Sequence, residues 1–258
     1  MIDISSAFTG GKKAFVGFIT AGDPSLDDTE RYLNIMQNSG VDIIEVGIPF
    51  SDPVAEGEVI QRADARALAA GAYLDDIFAM VGGIEKKVPF LFMTYANPVC
   101  FYGYASFFAR CKEAGVSGVI IPDIPYEESG EVKEVAADYG VTVIDMVAPT
   151  SEERIKKVCA GSLGFIYLVS SMGVTGVRDK FDADISSVYR KIRAVTDTPV
   201  CVGFGISTPE SAARMAAQCD GAIIGSAIVK IIEKYGSQAD EPLRKFLTSV
   251  ASAVHSAR

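Results

Sequence analysis

The stretch Ile43-Ile44-Glu45-Val46-Gly47-Ile48-Pro49-Phe50-Ser51-Asp52-Pro53-Val54-Ala55-Glu56-Gly57 sets one carboxylate inside an apolar run and a second in the polar loop that follows. A short, nearly continuous apolar run that ends in Pro reads as a strand buried on both faces. By strand alternation Glu45 shares a face with Ile43 and Gly47, opposite Ile44 and Val46. A lone Glu among such neighbours is costly to bury unless it is paired or used. An acid on a strand followed by an acid on the next loop suits proton transfer at the mouth of a barrel.

Working outward, seven more runs of the same kind cover residues 14–20, 88–95, 116–122, 141–148, 164–170, 199–204 and 221–225, alongside 41–49. The stretches between them carry helical signals. Ser25 precedes an acidic first turn with apolar Leu26, Leu33 and Met36, and Gly40 ends it. Ser151 and Thr208-Pro209 open two more helices. Residues 42–88 hold about two helices' worth of sequence, so the second unit carries an insertion. No linker or composition shift divides the chain. The pattern predicts an α/β protein: one domain over residues 1–258, a single (β/α)8 TIM barrel with extra helices. A doubly wound open sheet is the alternative, distinguished by whether the first and last strands pair. In either fold the C-terminal ends of the strands collect function.

Composition narrows the classes. The chain has 258 residues, is 49% hydrophobic and carries a formal charge of −9 with no basic run. Nucleic acid and anionic membranes are therefore poor partners. Cys100, Cys111, Cys159, Cys201 and Cys219 form no CxxC, which argues against a zinc site or a disulfide framework. Dispersed thiols suit a reducing cytosol. No signal-peptide pattern opens the chain, and no apolar run approaches the roughly 18 residues of a membrane span. The one histidine, His255, reads as a solvated helix-end residue. Carboxylates must then carry any acid–base step.

At the strand ends no Lys offers a Schiff base, and no GxGxxG opens a βαβ unit. Glu45 is the leading candidate, since burial raises a carboxyl toward working pH; a structural ion pair in the core is the alternative. Glu56 gains interest from its nearness to Glu45 along the chain. Asp52, before Pro53, reads as a turn-former through its own backbone. Gly205, and Gly225 with Ser226, end the seventh and eighth strands, where barrels hold phosphate on backbone N–H groups and a helix N-terminus. Residues 170–180 read as a polar, glycine-punctuated lid, from which Gly176 offers another backbone N–H. Phe18, Tyr95, Tyr167 and Phe204 stand near strand ends and could line a slot for a flat ring.

These motifs resemble the tryptophan synthase alpha-subunit family. The resemblance rests on residues 44–57 and on Thr20-Ala21-Gly22-Asp23-Pro24, Tyr95-Ala96-Asn97-Pro98 and Pro122-Asp123-Ile124-Pro125. Gly173-Val174-Thr175-Gly176-Val177-Arg178, Gly203-Phe204-Gly205-Ile206-Ser207 and Gly225-Ser226-Ala227-Ile228-Val229 agree as well, in the family's order along nearly the whole chain. It implies retro-aldol cleavage of indole-3-glycerol phosphate to indole and glyceraldehyde 3-phosphate. In that reading Glu45 shuttles protons, and Glu56 accepts a hydrogen bond from the indole N–H. Thr175 orients Glu56 when the lid closes. Gly176, Gly205, Gly225 and Ser226 hold the phosphate, while Phe18, Tyr95, Tyr167 and Phe204 pack on the indole. No metal or organic cofactor is implied. The implied partner is a pyridoxal-phosphate beta subunit in a cytoplasmic α2β2 complex, with Pro53, Asn97 and Pro125 at the contact. The family usually has Asp where Glu56 stands and Pro where Glu58 stands. Alternatives are a free-standing indole-releasing lyase, a catalytically weak barrel that activates a partner, and a sugar-phosphate isomerase using Glu45, Asp123 and Asp145 around Mg²⁺.

Overall fold

The computed structural model describes residues 1–149, 151–169, 178–203 and 205–257, of which 178–184 are described by their backbone alone. Its strands are β1 (Ala14–Thr20), β2 (Ile43–Gly47), β3 (Phe90–Met93), β4 (Gly118–Ile120), β5 (Thr142–Val143), β6 (Asp145–Val147), β7 (Ile166–Val169), β8 (Val200–Gly203) and β9 (Gly221–Ile224). All pair in parallel, in the order β5-β4-β3-β2-β1-β9-β8-β7-β6. That order settles closure. β1 lies between β2 and β9, and the two ends of the sheet are consecutive in the chain, separated by Ile144 alone. Val143 pairs with Val119 on one side, and Asp145 pairs with Ile166 on the other. The expected fifth strand is thus one strand that changes partner at Ile144, whose N–H still donates to Val119 O at 2.9 Å. The sheet closes into a (β/α)8 barrel, and the open-sheet alternative falls.

The helices are α1 (Leu26–Asn38), α2 (Glu58–Ala69), α3 (Leu74–Gly83), α4 (Ala96–Tyr102), α5 (Tyr104–Glu113), α6 (Gly130–Asp138), α7 (Glu152–Cys159), α8 (Arg178–Arg193), α9 (Pro209–Gln218), α10 (Ser226–Tyr235) and α11 (Asp240–His255). The expected insertion after β2 is the pair α2 and α3. A second split, between α4 and α5, falls at Gly103, whose φ of 85° a side chain would resist. The three expected caps form: Ser25 accepts from Asp28 N–H, Ser151 from Arg154 N–H, and Thr208 exchanges bonds with Ser211 ahead of Pro209. α8 already begins at Arg178, so Arg178-Asp179-Lys180 belong to a helix, not to the lid assigned from sequence.

Strand alternation sorts the buried residues into two layers. Phe15, Ile19, Ile44, Val46, Phe90 and Phe92 face the helices. Val16, Phe18, Ile43, Leu91, Met93 and Ile223 fill the barrel. Ile4 and Phe8 of the N-terminal 3-10 segment (Ile4–Gly11) join the inner layer, with Phe8 centred 6.4 Å from Phe165. At the same end of the barrel His255, exposed at the last position of α11 as expected, also finds a partner. Its Nε2 lies 2.7 Å from Asp42 Oδ2, and its side chain is 28% exposed. Asp42 also takes Lys12 and the Phe15 N–H, the latter at 2.8 Å. Because Asp42 immediately precedes β2, these bonds tie α11 to the end of the barrel opposite the strand C-termini.

Candidate active site

Glu45 points into the barrel, in register with Phe18 on β1 and Leu91 on β3. It is fully buried, and neither carboxyl oxygen has a hydrogen-bond partner among the described residues. A structural ion pair is therefore not its role there. Burial alone pushes it up to about 8, so at neutral pH it mostly holds a proton. The Tyr167 ring lies inside the barrel near enough to feel the charge of both Glu45 and Glu56. It sits over Gly203, where a Cβ would come 2.6 Å from the Tyr167 hydroxyl. On the other flank, a Cβ at Gly47 would meet the Phe18 ring at 2.5 Å, and one at Gly225 would meet it at 3.2 Å. Glycine at these three strand ends leaves room for two rings beside Glu45.

Glu56 lies just ahead of Gly57, the N-cap of α2. The Ala55 N–H donates to the Tyr95 hydroxyl at 3.2 Å, which ties this loop to the end of β3. The Tyr95 ring stacks on Phe50 at 5.2 Å. Burial holds the Glu56 carboxyl above its usual range, an effect that contacts with the Asp64 carboxyl and the Tyr95 hydroxyl offset only in part. Asp64 was not singled out from sequence. It sits on α2, is 3% exposed, and is pushed up to about 9 by burial first and by Glu56 second. The Thr20 hydroxyl lies beside it without the geometry of a full hydrogen bond. One signal was available: Ile60, Ala63, Asp64 and Ala67 fall on one helical stripe, so the acid occupies an apolar face. Asp52, read as a turn-former, lies at a bend just ahead of the turn at 54–55, and its carboxylate accepts from the Ser51 hydroxyl at 2.6 Å.

The glycine loops leave β8 and β9, which pair through Gly203 and Ile223, so both emerge on the same rim. Gly205 is exposed with φ 68° and open space where a side chain would lie. Gly225 caps α10, whose first residue is Ser226. The first amides of a helix lack intrahelical acceptors and face anions favourably. Thr175, Gly176 and Phe204 lie outside the described residues, as do residues 170–177 of the expected lid.

The carboxylates of the isomerase alternative do not converge. Asp123 accepts from the Ala96 N–H at 2.9 Å. Asp145 takes Lys133 at 2.5 Å and the Ser162 hydroxyl at 2.9 Å, and it faces an outer cavity of about 240 Å³ between α6 and α7. Among the described residues no cluster of three or more His, Cys, Asp or Glu side chains could hold a metal ion, and no helix is long and apolar enough to cross a membrane. Asn97 and Pro125 are exposed and Pro53 half-buried, each in the loop or helix that follows a strand. Val54, 80% exposed, and Phe101, 93% exposed, neighbour them in sequence.

Comparison with known proteins agrees with this geometry. The family model described as tryptophan synthase alpha chain matches residues 4–257. The tryptophan synthase alpha chain of Lacticaseibacillus casei is 45% identical over 94% of this chain and 92% of its own length. That of Zymomonas mobilis is 43% identical over 100% of this chain and 98% of its own. Among solved structures, tryptophan synthase subunit alpha from Campylobacter jejuni superposes with a TM-score of 0.88 at 31% identity, covering 97% of this chain and 99% of that one. A chain of M. tuberculosis tryptophan synthase in its aminoacrylate-bound form superposes at 0.86, with 31% identity and 97% of both chains covered. On sequence and fold alike, the chain belongs to the tryptophan synthase alpha chain family.

Proposed function

We propose that this chain cleaves indole-3-glycerol phosphate to indole and glyceraldehyde 3-phosphate, as a carbon–carbon lyase in tryptophan biosynthesis. One observation carries the reading: a fully buried acid, Glu45, with no partner among the described residues, held beside Phe18 and Tyr167 near the second acid, Glu56.

The chemistry follows from what these groups can do. The bond from indole C3 to the glycerol chain breaks when C3 gains a proton and the adjacent hydroxyl loses one. The electron pair of that bond returns to the ring, and the hydroxyl carbon becomes the aldehyde. No net proton is consumed. Glu45 begins protonated, gives its proton to C3 and takes the hydroxyl proton, so it ends as it began. Positive charge builds on the ring nitrogen once C3 is protonated. Glu56 accepts the hydrogen bond of that N–H and opposes the charge in a site shielded from water. Phe18, Tyr95, Tyr167 and Phe204 pack on the indole. Gly176, Gly205, Gly225 and Ser226 receive the phosphate, and Thr175 orients Glu56 when its loop closes. No cofactor enters any step.

The whole chain, residues 1–258, acts as one barrel domain. Its partner is a tryptophan synthase beta subunit, bound in an α2β2 complex at the rim that carries Pro53, Asn97 and Pro125, and indole passes to that subunit. Five free thiols suit the cytoplasm. Indole release by the full chain, alone and mixed with the beta subunit, tests the reading. Release in both, faster in the mixture, is expected. Equal release with no complex on size exclusion would make the chain a free-standing lyase, and release in neither would overturn the reaction.

A further inference from the structure

The buried polar groups at the mouth include one that this chemistry does not use. Asp64 sits on the inward stripe of α2, nearly inaccessible, with its carboxyl against that of Glu56. Two carboxylates cannot share such a space when both are ionised. The remaining neighbours do not relieve the pair. Asp23, the other charge facing Asp64, is already held by Arg66 through bonds of 2.7 and 2.9 Å. Tyr95 and Tyr167 sense the charge of Glu56 and bring no positive group. Thr20 adds only a hydroxyl without a full bond. No cation faces the two acids among the described residues that act on them. The pair must therefore hold a proton, and because the proposed reaction needs Glu56 ionised to receive the indole N–H, that proton falls to Asp64.

We infer that Asp64 is a positioning residue: it keeps its proton and donates that O–H to Glu56, fixing the Glu56 carboxylate where it meets the indole N–H. The inference rests on the reaction proposed above. It gives the length of Glu56 a physical reason. Glu56 begins the turn into α2, and Asp64 lies two helical turns further on the same helix. The longer side chain carries its carboxyl to that helix face, where a donor can hold it. The proton is lost in the alkaline range, because burial and the neighbouring Glu56 both hold the Asp64 carboxyl well above its usual value. Mutual repulsion then drives Glu56 from its position.

The test uses the full chain with its beta subunit and compares wild type, Asp64→Ala and Asp64→Asn for indole release across pH. Asp64→Ala should lower kcat at least about tenfold with little change in KM, because a loosened catalytic group costs rate before it costs binding. Asp64→Asn, which donates an N–H without titrating, should restore most of that loss. In the alkaline limb the wild-type log rate should fall with a slope approaching two, from Glu45 and Asp64 together, and Asp64→Asn with a slope near one. In a Glu56→Asp background, where the shorter acid withdraws from Asp64, Asp64→Ala should change the rate by less than about threefold. Wild-type rates and pH profiles in both Asp64 variants would overturn the inference while leaving the reaction intact. So would equal losses in both, with circular dichroism unchanged, because a donor would then not be what Asp64 supplies. Failure of wild type itself to release indole would instead reject the reaction.

Discussion

A carboxyl group buried without a partner keeps its proton, and at Glu45 that preference carries a stability cost as well as a catalytic use. Unfolded, Glu45 ionises near 4.5; folded, near about 8. Below the lower value both states hold the proton and ionisation costs folding nothing. Between the two, the unfolded chain releases a proton that the folded chain retains, so stability falls as pH rises. At roughly 1.4 kcal/mol per unit, the loss reaches about 3 kcal/mol by pH 7. Glu45→Gln removes it. Calorimetry should find that variant more stable than wild type by about 3 kcal/mol at pH 7 and equal to it at pH 4; equal stability at both would mean that Glu45 ionises normally. At this scale the sequence was partly readable. An acid in the run Ile43–Gly47 is conspicuous because strand neighbours are apolar. Asp64 was less so, because an acid on a helix is ordinarily solvated, and its place on the apolar stripe of α2 is a weak signal until the helix packs over the barrel mouth. The partner of His255 escaped for the matching reason: Asp42 is distant in the chain and close only after folding.

Among the elements, β8 holds a side chain in place by having none of its own at Gly203. A methyl group there would press on the Tyr167 ring, at 2.7 Å from Cε1 and 2.8 Å from Cζ. Since a shift of about 1 Å can cost roughly 10²-fold in rate, Gly203→Ala should lower kcat/KM by about that factor with the fold retained. Steady-state kinetics beside a thermal melt checks this, and an unchanged rate would place Tyr167 outside the site. The glycines were read from sequence as phosphate cradles, and the aromatic rings as a slot. Their interlock, Phe18 against Gly47 and Gly225 and Tyr167 against Gly203, needs the strand register, which local pattern does not carry. Caps fared better because each is a short-range bond: Ser25, Ser151 and Thr208 all form theirs. The break at Gly103 escaped because a single glycine inside a helical pattern is compatible with one helix or two.

Across the whole molecule, stability and chemistry sit at opposite ends of the barrel. Asp42 anchors α11 and β1 at the floor. Burial pushes its carboxyl up, yet bonds from His255, Lys12 and the Phe15 N–H hold it below the usual range. A lowered value means that its stabilisation is full above about 3.8 and is lost as pH falls through the folded value. Asp42→Asn should therefore cost about 2–3 kcal/mol at pH 7, less as the acid range is entered, with indole release per folded molecule unchanged. Urea titrations at two pH values check the first claim, and a gap that widened in acid would refute it. Eight apolar runs sufficed to suggest a barrel, but closure itself depends on the change of partner at Ile144, a long-range pairing no local motif announces. The central claim, that a protonated acid at the heart of this barrel moves the protons of a retro-aldol cleavage, meets its most direct test in Glu45→Gln, assayed for indole release from indole-3-glycerol phosphate with the beta subunit present. The account predicts a folded protein with activity at least about 10³-fold below wild type. Release within about threefold of wild type would contradict it, because ordinary scatter would then explain the difference and the proton would have another carrier.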